Sequence, residues 1–258
     1  ILICLANKIY MPLILLPLSL VGFLDDMYGL SSSLRYFIQV ITAFGLVINS
    51  SLYINTFEQL SLTNLVYIVF LVFFITAIIN FVNFMDGLDM LVANSFLIFI
   101  VLYSLFYEIL FLPLAFSLIT FLYYNRPPAK IFMGDAGSTF LGSLYCLILI
   151  NTDSLKTSFG LVLIFSPLFM DAFFTRLIIF SKGFNFFSPH KLHLYQRLYQ
   201  NGLSKIKVNI IYCLPIFLNF IVFKYSVSWV LVTCVFIELI LGLYLEKKFA
   251  NSIPTLKS

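Results

Sequence analysis

Asp25 and Asp26 stand side by side in Gly22-Phe-Leu-Asp25-Asp26-Met-Tyr-Gly29, directly after an apolar run. Two adjacent carboxylates repel, so one of them holds its proton more tightly and suits a general base, while a divalent cation would keep both ionised. A charge pair closing a helix at a membrane interface is the plain alternative. A second group reads Asn80-Phe-Val-Asn83-Phe-Met-Asp86-Gly87-Leu-Asp89. On a helix, spacing of three places Asn80, Asn83 and Asp86 along one stripe, and Gly87 lets the backbone turn and approach a ligand. Amides also bond neighbouring helices, but four polar groups beside a glycine favour ligand binding. The third group, Phe132-Met-Gly134-Asp135-Ala-Gly137-Ser138-Thr139, puts a carboxylate beside the free amides of a helix start. Such a place suits a phosphate together with Mg²⁺, and equally an ordinary Asp cap. The fourth, His190-Lys191-Leu-His193-Leu-Tyr195-Gln196-Arg197, holds both histidines of the chain. A metal could use that pair, yet the neighbouring cations repel one, so anion binding is the better reading against a solvated basic loop.

The elements that must position these groups are apolar. Hydrophobic residues make up 62% of the 258, including 31 Phe, and the mean hydropathy is +1.05. A soluble domain with that composition could not cover itself with polar surface. Nine candidate spans follow, at 9–24, 34–50, 65–82, 90–107, 109–124, 139–150, 158–174, 208–223 and 227–245. None alternates with the two-residue period of a barrel strand, and lipid tolerates only helices or closed barrels. The expected fold is therefore all-α: a polytopic transmembrane helical bundle with its site in loops and helix ends on one side.

Sidedness comes from Lys and Arg. With the loop after the first span cytoplasmic, Arg35, Arg126, Lys130, Arg176, Lys182, Lys191, Arg197, Lys205, Lys207, Lys247, Lys248 and Lys257 share that side, and Lys8, Lys156 and Lys224 face out. The formal net charge of +4 thus reflects loops, and no basic face for nucleic acid is expected. Residues 175–207 read as one cytoplasmic loop with a short helix inside a single membrane domain. Cys4, Cys146, Cys213 and Cys234 lie singly in apolar runs as buried thiols. Glu238, within the last span, is left as either an interhelix bond or a functional acid. The chain opens at Ile1, and residues 1–6 look like the tail of an earlier helix, so N-terminal helices are expected to be missing.

Taken together, Asp25-Asp26 with Gly29, Asn80 to Asp89, Phe132 to Ser138, Asp171 and the His193 segment resemble the polyprenyl-phosphate N-acetylhexosamine-1-phosphate transferases. This is glycosyltransferase family 4, which includes phospho-MurNAc-pentapeptide translocases and O-antigen initiating enzymes. The resemblance implies an enzyme of the bacterial inner membrane whose active site faces the cytoplasm. It implies transfer of a sugar 1-phosphate from a UDP-N-acetylated sugar to undecaprenyl phosphate, with Mg²⁺ or Mn²⁺ and release of UMP. By the family pattern Asp135 holds the metal, Asp25 and Asp26 handle the lipid phosphate, with Asp25 as base, and Asn83, Asp86 and Asp89 contact the nucleotide side, with Asn80 as a further substrate-binding candidate. His193 then sits at the diphosphate or the sugar; His190, which stands where many relatives have an acidic residue, and Arg197, which would add positive field near the diphosphate, are taken with it as substrate-binding. Where the translocase branch has a run of histidines this chain has Tyr195-Gln196, which favours a simple nucleotide-sugar donor. The alternatives kept open are the peptidoglycan translocase itself, an ion-coupled transporter using Asp25, Asp26, Asp86 and Glu238, and an inactive assembly subunit. A homodimer stays open as well.

Overall fold

A computed structural model of the chain describes residues 11–51, 62–183, 190–226, 228–250 and 253. Among the described residues the regular structure is eleven α-helices and two short 3₁₀ turns. The helices are α1 (Leu16–Tyr28), α2 (Ser32–Ile48), α3 (Leu62–Phe84), α4 (Leu91–Phe106), α5 (Leu112–Asn125), α6 (Gly134–Ile150), α7 (Leu155–Ile164), α8 (Ser166–Ser181), α9 (Leu194–Gln200), α10 (Lys205–Tyr225) and α11 (Ser228–Phe249). They divide into two compact units, Ile1–Asn83 with Met133–Val162, and Phe84–Phe132 with Leu163–Ser258.

In the first unit, α1 has Pro17 in its first turn, where a fixed φ is suited, and is capped by Gly29 at φ 64. Its partner is α6, from which Leu141 to Ile150 are buried without a break. The two helices meet at Gly22, where a Cβ would lie 2.7 Å from the Cα of Ala136. A glycine is therefore what lets the backbones approach. Ser31 caps α2 by accepting from the amide of Leu34 at 3.4 Å. Along α3, Ile68, Leu71, Ile75, Ile78, Ile79 and Val82 are buried at spacings of three and four. Its opposite face carries exposed Leu65, Val66, Val69, Phe70 and Phe73. A helix apolar on both faces calls for an apolar surround, which lipid supplies.

In the second unit, Phe165 packs at 4.9 Å from Phe96 and 5.3 Å from Phe99, and Phe99 meets Phe220 at 6.0 Å. These rings join α4 and α10 through the residue preceding α8. Outermost is α11, of which only Leu231 is buried while Trp229, Phe236, Ile240 and Leu243 are exposed. Its hold within the unit is polar. Ser166 donates to the Glu238 carboxylate at 2.5 Å, and Asn219 donates to the same group at 2.8 Å.

Of the nine expected spans, three helices among the described residues are long and apolar enough to cross a bilayer: α3, α10 and α11. A fourth is counted if α7 and α8 form one span. The expected run at 158–174 is thus two helices that part at Phe165, because Pro167 in the first turn of α8 cannot continue the hydrogen bonds of α7. The apolar runs of α2, α4 and α6, and of Ile109–Asn125, form helices of 10–17 residues. Cys4 and the stub 1–6 lie outside the described residues, as do residues 184–189 of the 175–207 segment. The rest of that segment contains the end of α8 and the short helix α9.

Candidate functional site

In the first unit three carboxylates gather around the start of α6. Asp25 and Asp26 sit in the last turn of α1, and Asp135 in the first turn of α6. Asp26 accepts from the backbone amides of Asp135 at 3.0 Å and Ala136 at 3.2 Å. It thereby takes the donors that the sequence offers to a phosphate, with the helix dipole in its favour. Gly134 makes room: its φ is 65 and a Cβ there would stand 2.4 Å from Asp26 Oδ2. Asp25 and Asp135 converge on a single atom, since Nη1 of Arg35 donates to Asp25 Oδ2 at 2.8 Å and to Asp135 Oδ2 at 2.7 Å. Asp25 also accepts from the amide of Leu30 at 2.7 Å. Past the apolar run that ends at Leu24, the Asp25 carboxyl is pushed above its ordinary range. Desolvation is the main cause, followed by the hydrogen bond with Asp135; Arg35 and the Leu30 amide pull the other way. A carboxylate with raised proton affinity is what a base needs.

Asn80 and Asn83 lie on α3, as the spacing predicts, but the helix ends at Phe84 and leaves Asp86 in the following turn. The expected three-residue stripe is therefore cut short before its carboxylate. Asn80 donates to Gln39 of α2 at 2.7 Å, so its amide ties two helices. Asn83 is partly exposed.

The second unit carries the rest. Asp86 is half-buried and Gly87 exposed, and the amide of Gly87 donates to Oη of Tyr195 at 3.0 Å. Tyr195 in turn donates to the carbonyl of Phe84 at 3.0 Å, so α9 holds the turn from both sides. Burial pushes the Tyr195 phenol well up, which keeps it the neutral donor that this bridge requires. Asp89 pairs with Nζ of Lys205 at 2.6 Å, and its carbonyl accepts from Asn209 at 3.0 Å. Met90 follows at φ 70, its amide bound by Asn125 at 2.7 Å. Asp171 of α8 is buried and accepts from the amides of Leu194 at 2.8 Å and Tyr195 at 3.0 Å, from Thr175 at 2.9 Å and from the Tyr212 hydroxyl at 2.7 Å. Two of these four donors are the first amides of α9, so the buried carboxylate fixes where α9 begins.

His193 precedes α9 with Nδ1 at 3.6 Å from Asp171, beyond hydrogen-bond length. Its ring lies 4.9 Å from that of His190 and 6.1 Å from Phe84, over which Arg176 sits at 4.0 Å. Neither ring nitrogen of His190 has a hydrogen-bond partner among the described residues. Desolvation, then Arg176 and His193, lower its pKa to about 3, so the ring is neutral and its lone pair or N–H is available. Arg197, expected at a substrate, is instead 2% exposed. It donates to both oxygens of Glu246 and to the carbonyl of Leu192, a bond that joins α9 to α11.

The sequence brings out Asp25, Asp26, Asp135 and the histidines by type and spacing. It gives no site role to Arg35, Gln39, Tyr195, Tyr212 and Lys205, each of which has a partner 41 or more positions away in the chain. Among the described residues no three His, Cys, Asp or Glu side chains gather as a metal-holding group. Asp25 and Asp135 are the acidic pair whose oxygens point to one place.

Residues 9–153 match the model of Glycosyl transferase family 4. Over 240 residues the chain is 32% identical to a probable undecaprenyl-phosphate N-acetylglucosaminyl 1-phosphate transferase of Bacillus subtilis (strain 168), covering 85% of this chain and 66% of that protein. Over 62 residues it is 42% identical to the phospho-N-acetylmuramoyl-pentapeptide-transferase of Chlamydia muridarum (strain MoPn / Nigg), covering 23% of this chain and 18% of that one. The chain thus spans less than two thirds of the length of either relative. With more than half of its residues inside the family match and its carboxylates where that match lies, the chain belongs to Glycosyl transferase family 4.

Proposed function

We propose that the protein transfers an N-acetylhexosamine 1-phosphate from a UDP-sugar to undecaprenyl phosphate, releasing UMP, as a step that initiates a cell-surface glycan. The observation that carries this reading is the convergence of Asp25 and Asp135 on one cationic atom, beside an Asp26 seated on the amides of α6. Carboxylates so placed suit a reaction in which two phosphates must meet and their charge must be neutralised. The name of the Bacillus subtilis relative supports the same donor and acceptor class.

In this reading an oxygen of the acceptor phosphate attacks the β-phosphorus of the UDP-sugar. The new P–O bond forms as the bond from that phosphorus to the bridging oxygen breaks, and UMP leaves with the electron pair. Asp25 takes or holds the proton of the acceptor phosphate, which its raised proton affinity favours. Asp26 keeps α1 and the start of α6 together and so sets the position of its neighbours. Asn83, Asp86 and Asp89 serve the nucleotide side, with the turn of Asp86 held by Tyr195 and Asp89 steadied by Lys205. His190 and His193 serve the diphosphate or sugar as neighbouring rings of which His190 is neutral.

Asp135 fits Mg²⁺ or Mn²⁺: its oxygens are hard, and Mg²⁺ takes one or two carboxylates with water and substrate phosphate completing its shell. Bound there, the ion would neutralise the charge developing on the transferred phosphoryl group. The excess of Lys and Arg on one set of loops supports an inner-membrane enzyme whose site faces the cytoplasm.

The test is UMP release from UDP-N-acetylglucosamine and other UDP-sugars by the purified protein, with undecaprenyl phosphate and Mg²⁺. Asp135→Asn should lower the rate by at least about a hundredfold, the scale of losing a charge-stabilising group. Release that survives this change, or that needs no lipid, would sink the assignment.

A further inference from the structure

We infer that Arg35 is a built-in counter-ion that holds the Asp25–Asp135 pair when no metal is bound and must swing out for one to bind. The inference rests on the metal use proposed above. Three carboxylates around one helix start would repel strongly if left alone. Asp26 is balanced by the amides of α6, but Asp25 and Asp135 are balanced by Arg35. Both lean on the same nitrogen, Nη1, at 2.8 and 2.7 Å. A guanidinium usually takes a carboxylate with two parallel bonds through two nitrogens. Here one nitrogen stands between two carboxylates, which is the placement of a small cation.

The rest of the guanidinium is poorly held. Nη2 reaches Ser32 Oγ only at 3.4 Å, and Nε has no hydrogen-bond partner among the described residues. The Arg35 side chain is 35% exposed, against 12% for Asp25 and 26% for Asp135. It can therefore leave towards solvent while the carboxylates stay. Arg35 is the most exposed of the three partners, and a doubly charged ion competes with it for both carboxylates. The ion's apparent affinity is then lower than the intrinsic affinity by the fraction of molecules in which Arg35 is already out.

The experiment is Mn²⁺ binding to the purified chain in detergent without substrates, read by loss of the free-ion electron paramagnetic resonance signal. Arg35→Gln should bind Mn²⁺ about tenfold more tightly than wild type, and Arg35→Lys should stay near wild type because an ammonium refills the place. Without metal, Arg35→Gln should melt lower than wild type and gain more from added Mg²⁺. Adding Asp135→Asn should remove the gain in affinity. Arg35→Met, which keeps the apolar stem, gives the same comparison if the Gln variant does not fold. Equal Mn²⁺ affinity in wild type and Arg35→Gln would overturn the role of Arg35 while leaving metal use intact. Binding by neither would overturn both.

Discussion

His190 shows how a residue picked out by type acquires a different chemistry from its surroundings. As a free side chain it titrates near 6.5; in the folded unit desolvation, with Arg176 and His193 nearby, lowers that to about 3. The unfolded chain then binds a proton between those values and the folded chain does not. Stability must fall as pH drops from 6.5 towards 3, and be complete above 6.5. His190→Gln removes this coupling, so its melting temperature should fall less than that of wild type between about pH 7 and about pH 5. Equal falls in the two proteins would mean that the His190 ring is solvated and charged in the folded state. Asp171 makes the same point about a carboxylate. Its side chain accepts from two amides and two hydroxyls, and an asparagine can accept at one of its two positions only. Asp171→Asn should cost about 1–3 kcal/mol for each donor left without a partner, seen in chemical or thermal unfolding. A variant as stable as wild type would show that the four bonds are not all formed.

Between elements the governing contact is Gly22 against Ala136. A methyl at position 22 would meet backbone atoms, not a side chain that could turn away, so α1 must shift along or away from α6. Gly22→Ala is expected to cost about 1–3 kcal/mol, as overpacking does. Because Asp25 and Asp26 ride on the last turn of α1, it should also reduce UMP release more than a Gly45→Ala change, whose Cβ would meet only a side-chain methyl of Ile14 at 3.2 Å. Equal effects from the two would disconnect the α1–α6 contact from the chemistry. At this scale one sees why the sequence was partly legible. Apolar runs and caps announce helices, and Asp25, Asp26 and Asp135 announce themselves by sitting beside glycines. The stripe from Asn80 to Asp86 was misjudged because nothing local marks Phe84 as the last helical residue; the turn beyond it is held by Tyr195, over a hundred positions away. Arg35 carries no local mark either, since a lone arginine after a span obeys the sidedness rule whatever it touches. The expected substrate role for Arg197 ignored Glu246, which only the folded unit brings to it.

For the molecule as a whole, the bilayer decides what the helices can be and which loops can share a compartment. The helices α3, α10 and α11 are long and apolar enough to cross, and the exposed faces of α3 and α11 consist of Phe, Leu, Ile, Val and Trp. Apolar surface of that kind is tolerable in lipid and a liability in water. Twelve of the 15 basic residues fall in segments that share a side when each apolar run crosses once, and that bias retains the positive side in the cytoplasm. Lys130 and Lys156 then lie on opposite sides, and both are exposed. In a chain with its four cysteines replaced by serine, Lys156→Cys should react with a membrane-impermeant maleimide on intact cells. Lys130→Cys should react only after the membrane is opened. Labelling of both from outside would break the one-crossing-per-run topology and with it the shared side of the carboxylates and histidines. Labelling of Lys130→Cys alone would invert the orientation and remove the site from the compartment in which nucleotide sugars are made. The expected pattern, taken with the function proposed above, would give a donor soluble in the cytoplasm and an acceptor dissolved in the membrane one place to meet, the inner interface where α1 ends and α6 begins.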